Sequence, residues 1–255
     1  MKHVYAFSDV HGCWEVFQQL LDFIQPEDKV ICLGDCGDRG DDGWKIIETV
    51  LNDNRFIYLM GNHEKMLIDA VDSYYRIQRM SIGAESDEID FHLQSDFNFQ
   101  LLRNNGGKKT FQDWKKASLK RAKIEQLRKL AYGAEYTNAK GQKIILTHAG
   151  FTPYLNRDIE KEEDYLIWNR THFYEKWDEY FPDTIIVHGH TPILYLGDFM
   201  SDEKRDFNKI EGAYWYCNNH KVNIDKCTIM TGELLLLDLD TWEEHIFKDN
   251  KIYCG

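Results

Sequence analysis

The beginning of the chain alternates between short strand-like runs and amphipathic helical stretches. The runs at residues 2–8, 29–33 and 55–60 are rich in β-branched, aromatic and leucine residues. Starting at Phe17, apolar residues recur at i, i+3, i+4 and i+7, and a helical apolar face also follows the second and third runs. Strands and helices that alternate at this interval favour parallel strands joined by right-handed crossovers. The pattern predicts an α/β fold.

The rest of the chain departs from this rhythm. Residues 72–142 combine an acidic stretch at 81–99 with a basic stretch at 108–129, and we interpret them as an insertion at one edge of the core. Strand-like runs return at 143–147, 184–187 and 233–239 without long helices between them, which favours a second, more antiparallel sheet. Two central mixed sheets with helices outside form a four-layer α/β/β/α sandwich. We expect residues 1–255 to be a single domain.

Composition restricts the classes of partner. The 255 residues are 43% hydrophobic and carry a formal net charge of −12. No apolar run approaches the ~18 residues of a membrane span, and Asp9 follows too few strand-like residues for a secretion signal. We expect a cytoplasmic monomer with no membrane partner. A net acidic chain is also poorly suited to nucleic acid, whose phosphates attract basic surfaces.

Polar side chains follow five of the strand-like runs. They are carboxylates, amides and imidazoles: Asp9, His11, Asp35, Asp38, Asn62, His63, His148, His188 and His190. Asp9 and Asp35 are 26 residues apart, and Asp35 and Asn62 are 27 apart, which is one strand–helix unit each. Because α/β sheets bind ligands at the carboxyl ends of their strands, we expect these side chains to lie together. Carboxylates mixed with imidazoles suit divalent manganese, iron or zinc.

The chain resembles the calcineurin-like metallophosphoesterases, specifically the serine/threonine phosphoprotein phosphatase family with its bacterial and phage members. Five motifs carry the resemblance: Asp9-Val10-His11-Gly12, Gly34-Asp35-x-x-Asp38-Arg39-Gly40, Gly61-Asn62-His63-Glu64, His148-Ala149-Gly150 and Gly189-His190. It spans about residues 3–192 and includes Trp168-Asn169-Arg170. The resemblance implies two divalent metal ions as cofactors, with manganese expected before iron or zinc.

The resemblance also implies a role for each matched residue. Asp9 and His11 would bind the first metal, and Asp35 would bridge both metals. Asn62, His148 and His190 would complete the second metal site. His188, two residues from His190, stays open as an alternative ligand, with a hydrogen bond behind the ligands as its other role.

The chemistry of such a site is hydrolysis of a phosphoester. Two metals lower the pKa of a water between them, so that hydroxide can attack phosphorus. His63 would protonate the leaving oxygen, and Asp38 would orient its imidazole. Arg39, Arg170 and Asn62 would bind the phosphoryl group, since an arginine fork matches its oxygens. For Arg170 a surface ion pair with the acidic run 158–164 is the alternative.

The substrate is less constrained by the motifs. We expect a serine/threonine protein phosphatase that acts on a phosphorylated protein or a small phosphoester. Symmetrical dinucleoside tetraphosphatases share the motifs and are the alternative, and a phosphate-binding scaffold without activity is the non-enzyme alternative. A basic helix at 114–129 would favour acidic phosphopeptides if it docks substrate, and is otherwise a solvated face. Cys36, beside Asp35, is either an inert thiol or sensitive to oxidation.

Overall fold

The computed structural model describes residues 2–81, 86–151, 159–175, 183–200 and 206–249. In these ranges the strands are β1 (Val4–Phe7), β2 (Lys29–Cys32), β3 (Phe56–Tyr58), β4 (Gly133–Thr137), β5 (Lys143–Thr147), β6 (Thr184–His188), β7 (Tyr214–Tyr216), β8 (Lys221–Asn223), β9 (Glu233–Asp238) and β10 (Glu244–Lys248). The α-helices are α1 (Trp14–Phe23), α2 (Gly43–Asn52), α3 (Asn62–Met80), α4 (Ser86–Leu93), α5 (Phe97–Asn104), α6 (Lys108–Lys116), α7 (Lys120–Leu127), α8 (Ile159–Trp168) and α9 (Thr228–Thr231). Short 3-10 helices occupy Thr171–Tyr174, Ile193–Asp198 and Phe207–Lys209.

The strands form two mixed sheets. The first has the order β10-β9-β1-β2-β3, in which β1, β2 and β3 are parallel and β9 and β10 are antiparallel to their neighbours. The second has the order β4-β5-β6-β8-β7, in which β5, β6 and β8 are parallel and the edge strands are antiparallel. Every predicted strand-like run contains one of these strands. The expectation of a more antiparallel second sheet is wrong, because each sheet has two parallel and two antiparallel strand pairs and the run at 233–239 forms β9 of the first sheet.

Alternation along the strands divides the first sheet between two cores. Ala6 and Ile31 face the second sheet and pack in a cluster with its Leu146 and Val187. The neighbouring residues of β1 and β2 face the other way, into a cluster with apolar residues of α1, α2 and α3. On the outer face of the second sheet, Tyr216 packs with apolar residues of the 3-10 helices. The predicted four-layer α/β/β/α sandwich is therefore confirmed.

The basic stretch is not one helix. It forms α6 and α7, which are separated at residues 117–119, where Leu119 has a φ of 54° in the left-handed region. Aromatic rings of segment 72–142 pack against one another, with Phe111 5.1 Å from both Phe99 and Trp114 between ring centroids. Gly133–Thr137 in this segment is β4, the edge strand of the second sheet. No helix in the described ranges combines the length and the hydrophobicity that crossing a bilayer requires.

Candidate active site

Loops from both sheets converge at the carboxyl ends of β1, β2, β3, β5, β6 and β8. The backbone nitrogen of Asp9 donates to the oxygen of Gly34, and that of Gly189 donates to the oxygen of His148. Six non-glycine residues in the loops that follow β1, β2 and β6 have φ between 43° and 67°: Asp9, His11, Asp35, Asp38, Arg39 and His190. Such left-handed backbone costs about 1–2 kcal/mol per residue and concentrates where function demands it.

We define the His148 cluster as Asp35, Asn62, His148 and His190, all of which are buried. The Nε2 atom of His148 lies 2.9 Å from Asn62 Oδ1, 3.1 Å from His190 Nδ1 and 3.4 Å from Asp35 Oδ2. His190 Nδ1 is also 2.9 Å from Asn62 Oδ1. The Nδ1 atom of His148 bonds the carbonyl oxygen of Leu33, which directs Nε2 into the cluster.

We define the His11 cluster as Asp9, His11 and Asp35. The Nε2 atom of His11 lies 3.9 Å from Asp9 Oδ1 and 3.7 Å from Asp35 Oδ2. Its Nδ1 atom donates to the carbonyl oxygen of Gly37, and this hydrogen bond leaves the lone pair on Nε2. The other oxygen of Asp9 accepts from the Ser8 hydroxyl and, at 3.0 Å, from the backbone nitrogen of His190.

The two clusters fit divalent metal ions. Each brings together oxygen and imidazole nitrogen atoms that mostly accept hydrogen bonds, and a cation satisfies such a set. His190 Nε2 is buried without a hydrogen-bond partner among the described residues. Potential ligand atoms of Asp35, His148 and His190 lie within 4.8 Å of one another, and so do those of His11, Asp35 and His63. Asp35 belongs to both sets, which is the arrangement that a bridging carboxylate requires.

Ionisation in the clusters follows from burial and charge. Burial favours the neutral form of the Asp35 carboxyl, but the imidazoles of His148 and His63 hold its pKa well below the usual value. Burial opposes protonation of His148, yet the Asp35 carboxylate raises the pKa of this imidazole to about 9.

His63 and Asp38 form a buried pair beside the clusters. His63 Nδ1 is 2.7 Å from Asp38 Oδ2, and His63 Nε2 faces Asp35 Oδ2 at 3.8 Å. Burial favours the neutral imidazole, but the carboxylates of Asp35 and Asp38 outweigh it and raise the pKa of His63. The backbone nitrogen of Asp38 donates to Thr110 Oγ1 in α6, so segment 72–142 contacts the loop that holds this pair.

The structure separates His188 from His190. His188 Nδ1 lies 3.1 Å from the carbonyl oxygen of Gly189, and its Nε2 lies 2.8 Å from the Tyr216 hydroxyl. Both ring nitrogens of His188 thus have other partners, whereas His190 Nδ1 lies in the His148 cluster. The geometry favours His190 as the ligand and a hydrogen-bonding role behind the site for His188.

The two arginines differ in their contacts with the site. Arg39 donates from Nη1 to His11 Nε2 at 2.8 Å and from Nη2 to His63 Nε2 at 3.1 Å. Arg170 is half-buried, and burial lowers its pKa while the carboxylates of Asp225, Asp9 and Asp35 oppose that shift. Among residues 162–164, whose side chains the structure describes, no carboxylate is ion-paired with Arg170; residue 158 of the acidic run lies outside the described residues.

Two residues near the site, Glu64 and Asn223, were given no role in the sequence-based prediction. Glu64, fully buried, accepts hydrogen bonds from the backbone nitrogens of Asp35, Cys36 and Gly61, and so holds the loop of the shared aspartate. Asn223, at the end of β8, donates to the oxygen of Thr191 beside His190. The only sequence signal for Asn223 is a polar residue at the end of a three-residue strand, and such a strand is too short to recognise.

Cys36 lies in the interior behind Asp35. Its sulfur is 3.3 Å from that of Cys32, and both side chains are buried. Burial raises the pKa of the Cys36 thiol well above its usual value. Because the thiolate is the reactive form, this environment favours the inert interpretation of Cys36.

An α/β/β/α sandwich whose strand ends carry two metal-type clusters with one shared aspartate is the arrangement of a metallophosphoesterase. The chain matches the model of the calcineurin-like phosphoesterase family over residues 2–224, and it belongs to that family. Members of the family are hydrolases with a dinuclear metal centre, and the His11 and His148 clusters supply candidate ligands for one here.

Individual relatives differ in their named substrates. The asymmetrical bis(5'-nucleosyl)-tetraphosphatase of Anoxybacillus flavithermus is 25% identical over 262 residues, which cover 90% of this chain and 87% of the relative. Serine/threonine-protein phosphatase 2 of Salmonella typhimurium is 33% identical over 75 residues, which cover 28% of this chain and 34% of the relative. The solved structure of a candidate diadenosine tetraphosphatase superposes with a TM-score of 0.59 at 15% identity and covers 98% of this chain and 95% of that one.

Proposed function

We propose that the protein hydrolyses phosphoesters with two divalent metal ions, held by the His11 and His148 clusters. The observation that carries this proposal is the position of Asp35, whose Oδ2 lies 3.7 Å from His11 Nε2 and 3.4 Å from His148 Nε2. Asp9 and His11 would hold the first ion, Asn62, His148 and His190 would hold the second, and Asp35 would contribute a carboxylate to both. When bound, the ions supply an activated hydroxide and neutralise phosphoryl charge.

The protein's own groups bind the phosphoryl oxygens and move the proton. His63, with its raised pKa, protonates the leaving oxygen from Nε2, while Asp38 holds Nδ1. Arg39 donates to His11 Nε2 and to His63 Nε2, so it would have to release both nitrogens for His11 to hold an ion and for His63 to carry its proton there. The freed guanidinium is then available to phosphoryl oxygens, together with Arg170 and the Asn62 amide.

For the substrate, we propose a dinucleoside tetraphosphate. The supporting observation is the match over 90% of this chain to a relative named for that activity. The basic stretch gives less support to a phosphopeptide, because Lys115 Nζ is 2.7 Å from Asp90 Oδ1 and Lys120 Nζ donates to the oxygen of Lys115. Lys123 is buried and donates to Asn52. These three ammonium groups are already bound within the protein.

A serine/threonine protein phosphatase is the second candidate. It is favoured by the 33% identity to the Salmonella typhimurium phosphatase, although that match covers 28% of this chain. The metal clusters and His63 serve both reactions, since each is an attack on phosphorus with departure of an oxygen.

One parallel assay distinguishes the candidates. The full chain, loaded with Mn²⁺, is offered diadenosine tetraphosphate and a phosphoserine peptide, and kcat/KM and products are measured, with Asp35→Asn as the inactive control. We expect the higher kcat/KM for diadenosine tetraphosphate; two molecules of ADP indicate symmetrical cleavage, and ATP with AMP asymmetrical cleavage. A higher kcat/KM for the peptide would establish the second candidate. No turnover of either substrate or of para-nitrophenyl phosphate by the metal-loaded protein would contradict both.

A further inference from the structure

Lys221 is a fully buried lysine that the proposed reaction does not use. It lies on β8 and is 0% exposed. Its Nζ atom donates to the carbonyl oxygen of His172 at 2.6 Å and to that of Glu175 at 3.1 Å. Lysine is rarely buried completely, because removing an ammonium group from water is costly. Both hydrogen bonds that offset this cost go to the backbone of one segment, residues 172–175, and the ammonium also lies 5.9 Å from the centroid of the Tyr216 ring.

That segment continues from the residues that border the metal clusters. The backbone nitrogen of Ala149, next to His148, donates to the oxygen of Leu166 at 2.7 Å. The Trp168 ring lies 6.1 Å from the His190 ring, and a Cβ at Gly150 would be 2.6 Å from the His172 ring. Residues 166–172 therefore contact the loop after β5, which carries His148, and the loop after β6, which carries His190. In the sequence, Arg170 lies between Trp168 and His172, whose rings make these contacts.

Arg170 depends on this backbone for its position. It immediately precedes the 3-10 helix Thr171–Tyr174, and its guanidinium lies 6.0 Å from the Phe199 ring. Among the described residues, no carboxylate lies within ion-pair distance of Arg170. A guanidinium without such a partner can bind a phosphoryl group, but only the chain that carries it keeps it directed at the site.

The 3-10 helix is anchored at its far end. Its last carbonyl groups have few partners within a helix of four residues, and Lys221 binds the oxygens of His172 and Glu175 there. Phe173 packs with Tyr216 at 5.5 Å between ring centroids, on the outer face of the second sheet. Strand β8 thus holds the end of the 3-10 helix through Lys221, and Arg170 directly precedes the first residue of the same helix.

We propose that Lys221 is a positioning residue for phosphoryl binding, which acts by holding the helix that Arg170 precedes. The inference rests on the proposed function, in which Arg170 binds phosphoryl oxygens. Lys221 itself does not touch substrate. Its removal leaves the oxygen of His172 with the backbone nitrogen of Glu175 and the oxygen of Glu175 with the distant Cys217 sulfur. With these weaker bonds alone the helix shifts, and the guanidinium of Arg170 is misplaced.

The chain offers a matched control for a buried lysine that binds backbone carbonyls. Lys226, 7% exposed, donates from Nζ to the oxygens of Ile210 and Glu211 at 2.8 Å each. Lys226 also lies 3.4 Å from Glu233 Oε2, so Lys226→Met removes at least as many contacts, from a segment that does not continue into Arg170. A purely structural loss should therefore be reproduced by this variant.

The test is a double-mutant cycle with Lys221→Met and Arg170→Ala in the metal-loaded full chain. The readouts are kcat and KM for para-nitrophenyl phosphate and calorimetric binding of inorganic phosphate. We expect Lys221→Met to raise KM and weaken phosphate binding about tenfold, the scale of one charge-assisted hydrogen bond, with a smaller change in kcat. In the Arg170→Ala background it should add no further loss. Lys226→Met should leave KM unchanged.

Lys221→Gln, which retains one shorter donor, provides a second and milder variant and should lose less phosphate affinity than Lys221→Met. Losses that add in the double variant, or an unchanged KM in both Lys221 variants, would overturn the role of Lys221 while the proposed function stands. If Arg170→Ala alone leaves KM and phosphate binding unchanged, the phosphoryl role of Arg170 is wrong, and the inference is overturned with it.

Discussion

His63 Nδ1 and Asp38 Oδ2 lie 2.7 Å apart, and both side chains are almost completely buried. The other carboxylate oxygen of Asp38 has no hydrogen-bond partner among the described residues. Among the described residues, the Asp38 carboxylate therefore hydrogen-bonds only to the His63 imidazole. The Nε2 atom of this ring faces Asp35, the aspartate shared by both clusters. A carboxylate–imidazole pair of this kind fixes the ring orientation and favours its protonated form.

The first prediction concerns His63 as the proton donor. His63→Asn should keep both metal ions yet lose about 10²–10⁴ in kcat for alkyl phosphates, the usual contribution of general acid catalysis. The loss should be smaller for para-nitrophenyl phosphate, because nitrophenolate departs without a proton. Steady-state kinetics with both substrates, together with metal analysis, provide the measurement. Equal losses for the two substrates would contradict the assignment.

The second prediction concerns pH. His63 must be protonated to act as the general acid. We therefore expect kcat to be highest below the pKa of His63 and to fall as the pH rises through that pKa. Asp38 is one of the carboxylates that raise this pKa. Asp38→Asn should therefore move the alkaline limb of the kcat profile to lower pH. Asp113→Asn, which removes a carboxylate paired with Lys109 on α6, is the control and should leave the limb in place. A shift in the opposite direction would exclude Asp38 as the group that favours the imidazolium.

The third prediction concerns metal dependence. Exhaustive chelation should abolish turnover, and Mn²⁺ should restore it, because the nucleophile depends on the ions. Asp35→Asn should reduce the occupancy of both ions, since its carboxylate faces both clusters. The metal-to-protein ratio, measured by atomic emission before and after chelation, gives the result. Two bound ions in Asp35→Asn would count against the bridging role, and full activity of a metal-free preparation against the whole mechanism.

The fourth prediction concerns the contact between the loops of β1 and β6. A Cβ at Gly189 would collide with Ser8 Oγ and Asp9 Oδ2. Gly189→Ala should lower stability by about 1–3 kcal/mol, the scale of overpacking, and should also weaken metal binding because Asp9 is displaced. Gly197→Ala is the control, since the nearest atom to its Cβ is 3.6 Å away. Thermal unfolding and metal titration of both variants provide the measurement; an unaltered Gly189→Ala protein would show that the loops adjust freely.

Sequence patterns predicted the α/β class, which the structure confirms, and most of the side chains that the structure brings together at the strand ends. Parallel strands place their carboxyl ends at one edge, so the spacing from Asp9 to Asp35 to Asn62 predicts residues that meet. The helical apolar pattern that begins at Phe17 likewise predicts the buried face of α1. This local periodicity survives folding because burial enforces it.

The tertiary structure decided what local periodicity leaves open. His188 and His190 would share a face if β6 continued, but β6 ends at His188, and the φ of 66° at His190 turns the chain so that only His190 joins the cluster. The left-handed backbone at Leu119 similarly divides the basic stretch into two helices. Lys221 acquires its carbonyl partners from a segment about 50 residues away in sequence. Such contacts depend on loops that cross between sheets, and no periodic pattern along the chain encodes them.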